Sequence, residues 1–171
     1  MQRIFLIGFM GSGKSTIGKK LAVKLAYDFI DMDAYIEEQE GRSISEIFAS
    51  EGEDYFRLAE QKALKALCAK DKVVISAGGG TPCFFDNMAL MNQAGYTVYL
   101  KLEPEKIIGR LKNGMDKRPL IANLSPHELD QQIRERLSVR EPFYNKAKMI
   151  YTSDGSPNRD VERLSNIIPN K

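Results

Sequence analysis

Gly8 to Ser15 read GFMGSGKS, a run whose residue types and spacing suit the cradling of a polyphosphate. Gly8, Gly11 and Gly13 let the backbone curl with its N–H groups turned inward, and no Cβ stands in the way of a phosphate. A helix beginning near Lys14 adds the positive end of its dipole to that cradle. Lys14 supplies a mobile point charge for β- and γ-phosphates, and Ser15 offers a hydroxyl to Mg²⁺. A glycine-rich turn that matched by chance would not bring with it the apolar run Ile4-Phe5-Leu6-Ile7 in front and a helix behind. This strand–turn–helix setting makes the segment a P-loop, with a nucleoside triphosphate as the expected ligand.

A P-loop protein commonly holds Mg²⁺ with a further carboxylate at a strand end. Val73-Val74-Ile75 reads as such a strand, yet Ser76 stands where an aspartate would be expected. The carboxylate must come from elsewhere, and Ile30-Asp31-Met32-Asp33 offers it. Side chains alternate in direction along a strand, so two acids at its end need not share a task. Asp31 is assigned to the Mg²⁺ shell and Asp33 to an acceptor hydroxyl; Ser76 could join the metal through a bound water. Taken alone, the pair would read as solvated turn residues or a helix N-cap. The P-loop shifts the balance toward chemistry.

Gly78-Gly79-Gly80 lies just past the same strand. Three glycines cost conformational entropy and need a reason, either a tight turn or the approach of a ligand to bare backbone N–H groups. Their place at a strand's carboxyl end favours the ligand. Arg118-Pro119-Leu120 falls in a polar stretch, about residues 113–125, between two helical patterns. A loop of that length is often a mobile lid. Pro119 keeps Arg118 extended, and its guanidinium could meet the charge that spreads over a transferring phosphoryl group. The plainer alternative is a surface arginine in a flexible loop.

The elements that must position these groups follow from periodicity. Candidate strands are Arg3–Ile7, Phe29–Asp31, Val73–Ser76, Thr97–Leu102 and Met149–Thr152. Between them, Phe56, Ala59, Ala63 and Leu67 share one helical face, and Ser43 with Glu46 forms a capping box before Ile47-Phe48. Pro104 suits the first turn of a helix ended by Asn113-Gly114, and Ser125-Pro126 starts another. Alternating strands and helices imply an α/β fold, a parallel sheet with helices on both faces and ligands at the carboxyl ends of its strands. The P-loop, the acid pair and the triple glycine then meet on one rim.

Size and composition set the bounds. The 171 residues suit a single domain, 1–171, with no linker-like stretch. Hydrophobic residues at 43% and charged residues at 28% are ordinary for a soluble globular protein. A net charge of +2 argues for neither nucleic acid nor a membrane surface as partner. Cys68 and Cys83 form no CxxC or Cys/His cluster and read as reduced thiols in a cytoplasmic protein. His127 stands alone, so no zinc ligand set is present, and no signal peptide or membrane span is expected.

Together these residues resemble the shikimate kinase family over almost the whole chain. The matching stretches are GFMGSGKST, DMD, GRSISEIF followed by Phe56-Arg57, the triple glycine, RPL, and Arg140-Glu141-Pro142-Phe143-Tyr144. Several are weak individually, and their order and spacing make the set specific. The resemblance implies a P-loop three-layer αβα fold like that of nucleoside monophosphate kinases, with a central five-stranded parallel sheet and a mobile lid. It implies transfer of the γ-phosphate of ATP to the 3-hydroxyl of shikimate, in aromatic amino-acid biosynthesis, by a cytoplasmic monomer using Mg²⁺.

Carried over by position, the resemblance makes Gly11, Ser12, Gly13, Lys14, Ser15 and Thr16 the ATP phosphate loop. Asp33 meets the shikimate hydroxyls, Arg57 and Arg140 hold its carboxylate, and the loop Gly78, Gly79 and Gly80 borders it. Arg118 reaches the phosphates, and Arg110 is the candidate for the adenine, with Asn158-Arg159 near Pro157 at its edge. A small anionic polyol has little apolar surface, so charge-assisted hydrogen bonds must orient it, and guanidinium groups suit a carboxylate. Sequence alone does not distinguish Arg57 and Arg140 from other surface arginines. Departures are RPLI for the commoner RPLL, Phe143 for a common leucine, and Thr81-Pro82 after the glycines, beside the expected substrate. Competing readings are another small-molecule kinase of this fold, such as a gluconate or nucleoside monophosphate kinase, and a non-catalytic nucleotide-binding module.

Overall fold

The fold was obtained as a computed structural model that describes residues 2–113 and 124–169. Five strands, β1 (Arg3–Ile7), β2 (Asp28–Asp31), β3 (Val73–Ser76), β4 (Tyr96–Lys101) and β5 (Met149–Thr152), form one sheet in the order β2-β3-β1-β4-β5. Every neighbouring pair is parallel. The five strands expected from periodicity are therefore present, with bounds shifted by no more than a residue.

Strand alternation builds two cores. Phe5 and Ile7 of β1 and Val73 and Ile75 of β3 point to one face, where they join Ile36, Phe56, Leu64, Ile107 and Leu137. Ile4, Leu6 and Val74 point to the other, against Ile17, Leu21 and Leu164. Because both faces are covered, β1 is buried along its whole length, which is why it reads as an unbroken apolar run. Helices α1 (Lys14–Leu25) and α7 (Pro157–Ile167) cover the second face; α2 (Met32–Glu40), α3 (Ile44–Leu67), α4 (Asn87–Ala94), α5 (Pro104–Lys112) and α6 (Pro126–Tyr144) serve the first.

Local signals end the helices where expected. Ser43 and Glu46 form the capping box of α3, and Ser125 with Glu128 makes a second one at the start of α6. Helix α3 is broken at Gly52, whose φ of 83° and ψ of 179° lie where only glycine is comfortable. The kink re-aims the second half, which carries Glu53, Arg57 and Glu60 under the sheet's carboxyl edge.

Register brings the site's parts together. Asp31 of β2 lies opposite Ser76 of β3, and Ser76 opposite Leu6 of β1, just before the P-loop. Among the described residues, no helix is long and apolar enough to cross a membrane.

Candidate active site

The P-loop connects β1 to α1. Gly11 and Gly13 have φ of 78° and 96°, and the left-handed Gly13 is the N-cap of α1. A side chain at Gly13 would be strained and would stand 3.2 Å from the Arg110 guanidinium. Lys14 folds back and donates to the carbonyls of Gly8 and Phe9 at 2.9 and 3.0 Å. Burial lowers its pKa to about 8, with the charges of Asp33 and Asp31 opposing that fall and Arg140 adding to it. Ser12 Oγ is buried in the loop with no partner among the described residues.

Beside the loop, three oxygens converge. Ser15 Oγ donates to Asp31 Oδ2 at 2.5 Å and lies 3.3 Å from Ser76 Oγ. Ser76 does occupy the strand-end position where an aspartate was expected, and the carboxylate beside it is that of Asp31 on the neighbouring strand. Asp31 has a second task, since its Oδ1 accepts from the N–H groups of Asp33 and Ala34 and caps α2. The N-cap weighed above is therefore present, and it leaves the other oxygen of Asp31 turned to Ser15. A set of hard oxygen donors with one carboxylate fits Mg²⁺ bound mainly through nucleotide phosphates. No group of three or more His, Cys, Asp or Glu residues that could hold a metal alone occurs among the described residues.

Asp33 does not end a strand, as the DxD reading assumed; it sits in the first turn of α2. The two carboxylates are therefore set apart by the strand-to-helix switch between them and not by pleat alternation. Its side chain opens to water within the cleft, yet it has lost enough hydration to matter. That loss, with the negative charges of Asp31 and Glu60, raises its pKa to about 6 against the pull of Lys14. A carboxyl tuned toward neutrality near the P-loop lysine suits proton acceptance at physiological pH.

The triple glycine works through what it omits. None of the three has a positive φ. An added Cβ at Gly78 would lie within about 3 Å of Asp33, Glu60 and Thr81 oxygens; at Gly80 it would lie 2.7 Å from Arg57 Nη1, and at Gly79 3.3 Å from Arg140 Nη1. The close approach that glycine permits is first of all that of the chain's own charged side chains. The N–H of Gly79 has no partner among the described residues, while its carbonyl accepts from Tyr144 Oη at 2.5 Å.

Arg57 and Arg140 are not surface arginines of the ordinary kind. Arg57 is buried, donates from Nη1 to Glu60 and from Nε and Nη2 to Glu53, and stacks 3.9 Å above the Phe84 ring. Three of its five N–H groups are used, which leaves two for a ligand. Arg140 is half-buried against the Phe9 ring at 5.5 Å and has no carboxylate partner among the described residues. Its charge is available.

A cleft of about 510 Å³ runs across the rim, lined by Gly11, Gly13, Lys14, Ser15, Thr16, Asp31, Asp33, Ser76, Gly78, Gly79, Arg110 and Pro157. Arg110 donates to the carbonyls of Gly11 and Gly155 at 3.0 and 3.2 Å, tying the P-loop to the segment before α7. It lines the cleft together with Pro157, with its orientation held by those two carbonyls. Arg118 lies outside the described residues.

Sequence reasoning gave no role to Glu60 or Tyr144. Glu60 is three residues beyond Arg57 and Tyr144 four beyond Arg140, spacings that put each on its arginine's helix face. That periodicity was the available signal.

Residues 10–169 match the family model described as Shikimate kinase. A shikimate kinase of Azobacteroides pseudotrichonymphae is 48% identical over 170 residues, 99% of each chain. The crystal structure of shikimate kinase from Bacteroides thetaiotaomicron is 40% identical and superposes with a TM-score of 0.92, covering 96% of this chain and 97% of that one. Shikimate kinase from Acinetobacter baumannii in complex with shikimate is 32% identical, with a TM-score of 0.87 over 99% of this chain and 96% of the other.

Proposed function

The chain belongs to the shikimate kinase family, and from that premise we propose that it transfers the γ-phosphate of ATP to the 3-hydroxyl of shikimate. One observation supports this reading above the others. The P-loop and its Ser15–Asp31–Ser76 oxygens share one cleft with Asp33, Gly78 and Gly79, and two guanidinium groups lie against the triple glycine.

Gly11 to Thr16 hold the phosphates, and Lys14 turns from the Gly8 and Phe9 carbonyls to the β- and γ-oxygens. Arg110 and Pro157 border the nucleoside end. Ser15 and Asp31, with Ser76 through water, would hold Mg²⁺, which when bound neutralises charge developing on the phosphates. Arg140 and the two remaining N–H groups of Arg57 take the shikimate carboxylate, and the Gly79 N–H borders the ring. Those contacts turn the 3-hydroxyl toward the nucleotide. Asp33 orients that hydroxyl and accepts its proton; the transition state is loose, so proton removal comes late and positioning carries most of the rate. Arg118 is assigned to the lid, where it would meet the transferring phosphoryl group as water is excluded. The enzyme acts as a cytoplasmic monomer.

The test is ADP release from ATP against a panel of shikimate, gluconate and nucleoside monophosphates. Turnover with shikimate alone is expected. Turnover that needs no acceptor would instead make this a nucleotide switch, and preference for another acceptor would make it a different kinase.

Arg140→Ala is expected to raise KM for shikimate about 10- to 100-fold, the cost of a charge-assisted hydrogen bond, while KM for ATP changes little. Equal increases for both substrates in steady-state kinetics would show that Arg140 does not read the carboxylate.

A further inference from the structure

Thr81 and Asn87 are fully buried polar residues with no part in the chemistry assigned above. Thr81 directly follows the triple glycine and opens a short 3₁₀ turn, Thr81–Cys83. Its hydroxyl donates to Glu60 Oε2 at 2.7 Å. Glu60 uses its other oxygen, Oε1, to accept from Arg57 Nη1 at 2.9 Å. Asn87 Nδ2 in turn donates to the Thr81 carbonyl at 3.0 Å. The four residues form one chain of hydrogen bonds from the start of α4 to the guanidinium at the acceptor site.

We infer that Thr81, braced by Asn87, is a positioning residue for acceptor binding: its hydroxyl holds Glu60 so that Glu60 aims Arg57 at the substrate carboxylate. This rests on the reading of Arg57 as a carboxylate-binding residue. The coupling runs through Glu60, which is 1% exposed and must have both oxygens satisfied. Arg57 occupies one oxygen. Without the Thr81 hydroxyl, the other would have no donor, and the carboxylate would rotate toward Arg57 to take a second N–H. Arg57 then keeps fewer donors for a ligand, and its plane turns. Packing leaves little other freedom, since Gly80 and the Phe84 ring confine the guanidinium.

The experiment is steady-state kinetics and thermal unfolding of Thr81→Ser, Thr81→Ala and Thr81→Val, with Arg57→Ala as reference. Thr81→Ser keeps the hydroxyl and is expected to hold the shikimate KM within about threefold of the native value. Thr81→Val keeps the shape, loses the donor, and is expected to raise that KM on the order of tenfold with KM for ATP unchanged. Thr81→Ala is expected in between, because the space it opens admits a water to Glu60. A residue that only fills volume would give the opposite order, with valine mildest, and that order overturns the inference. If Thr81→Val does not fold, the serine–alanine pair isolates the hydroxyl at nearly constant volume, and equal KM values for the two overturn it. Arg57→Ala separates the two levels of the claim. If it raises the shikimate KM while the Thr81 series is flat, only the relay fails. If Arg57→Ala itself leaves that KM unchanged, the carboxylate reading falls and the relay with it.

Discussion

Asp33→Asn is expected to bind ATP as the native chain does and to turn over about 10²–10⁴-fold more slowly, the range for loss of a positioned proton acceptor. The amide keeps the size of the side chain and can still accept one hydrogen bond from the shikimate hydroxyl. It cannot take the proton. The native acid limb should go with it. Asp33 titrates at about 6 because of lost hydration and the charges of Asp31 and Glu60, so below that pH it is protonated and kcat/KM for shikimate falls. The residual activity of Asp33→Asn should lack this limb. Stability should move the other way. The folded-state pKa lies above the ordinary 3.8, so the native state binds more protons than the unfolded chain between about pH 4 and 6, and stability from this group falls as pH rises through that window. Asparagine removes the loss, so at pH 7 the unfolding midpoint of the apo protein should rise slightly, the cleft being open to water. Turnover within tenfold of native would remove Asp33 from the mechanism, whatever its effect on stability.

What the chain's sequence could and could not disclose divides along range. The strands were legible because each obeys a local period, and the buried run Arg3–Ile7 with the glycines after it needs no distant partner to be recognised. The capping box at Ser43 and Glu46 is likewise complete within four residues. The double use of Asp31 was not legible. Nothing in DMD says that β2 stops at the first acid and α2 starts at once, so that one oxygen caps a helix while the other meets Ser15. Arg110 presents the same difficulty. Its bonds to Gly11 and Gly155 join residues 99 and 45 positions away, and no local pattern marks them. The triple glycine was read as a place where a ligand approaches, whereas the groups that crowd it here are the chain's own side chains, and two of them, Arg57 and Glu60, come from a helix redirected by the kink at Gly52. Charged side chains that satisfy each other across the fold carry no periodic signature.

Lys14→Met is expected to lower kcat/KM for ATP about 10²–10³-fold, the loss typical of one preorganised donor to developing charge, and yet to make the nucleotide-free protein more stable. Methionine has a similar unbranched reach and no charge. In the native protein the ammonium is buried, and two backbone carbonyls with the nearby acids Asp33 and Asp31 only partly replace its water. Its folded pKa of about 8 lies below the ordinary 10.5, which amounts to a cost on the order of 3 kcal/mol at neutral pH. The sign is fixed by proton counting. Between about pH 8 and 10.5 the unfolded chain holds more protons, so this group makes the native state more stable as pH rises through the window. Lys14→Met should show no such rise, and its unfolding midpoint at pH 7 should exceed the native one. Part of the gain is offset because the Gly8 and Phe9 carbonyls lose a donor. Bound nucleotide should reverse the ranking, since phosphates supply the negative charge that the empty loop lacks and stabilise the lysine form by mass action. Thermal unfolding of both proteins with and without ATP measures the crossing. If the two curves keep the same order in both conditions, Lys14 is not the group that meets the phosphates, because a lysine held only for structure would gain nothing from the ligand.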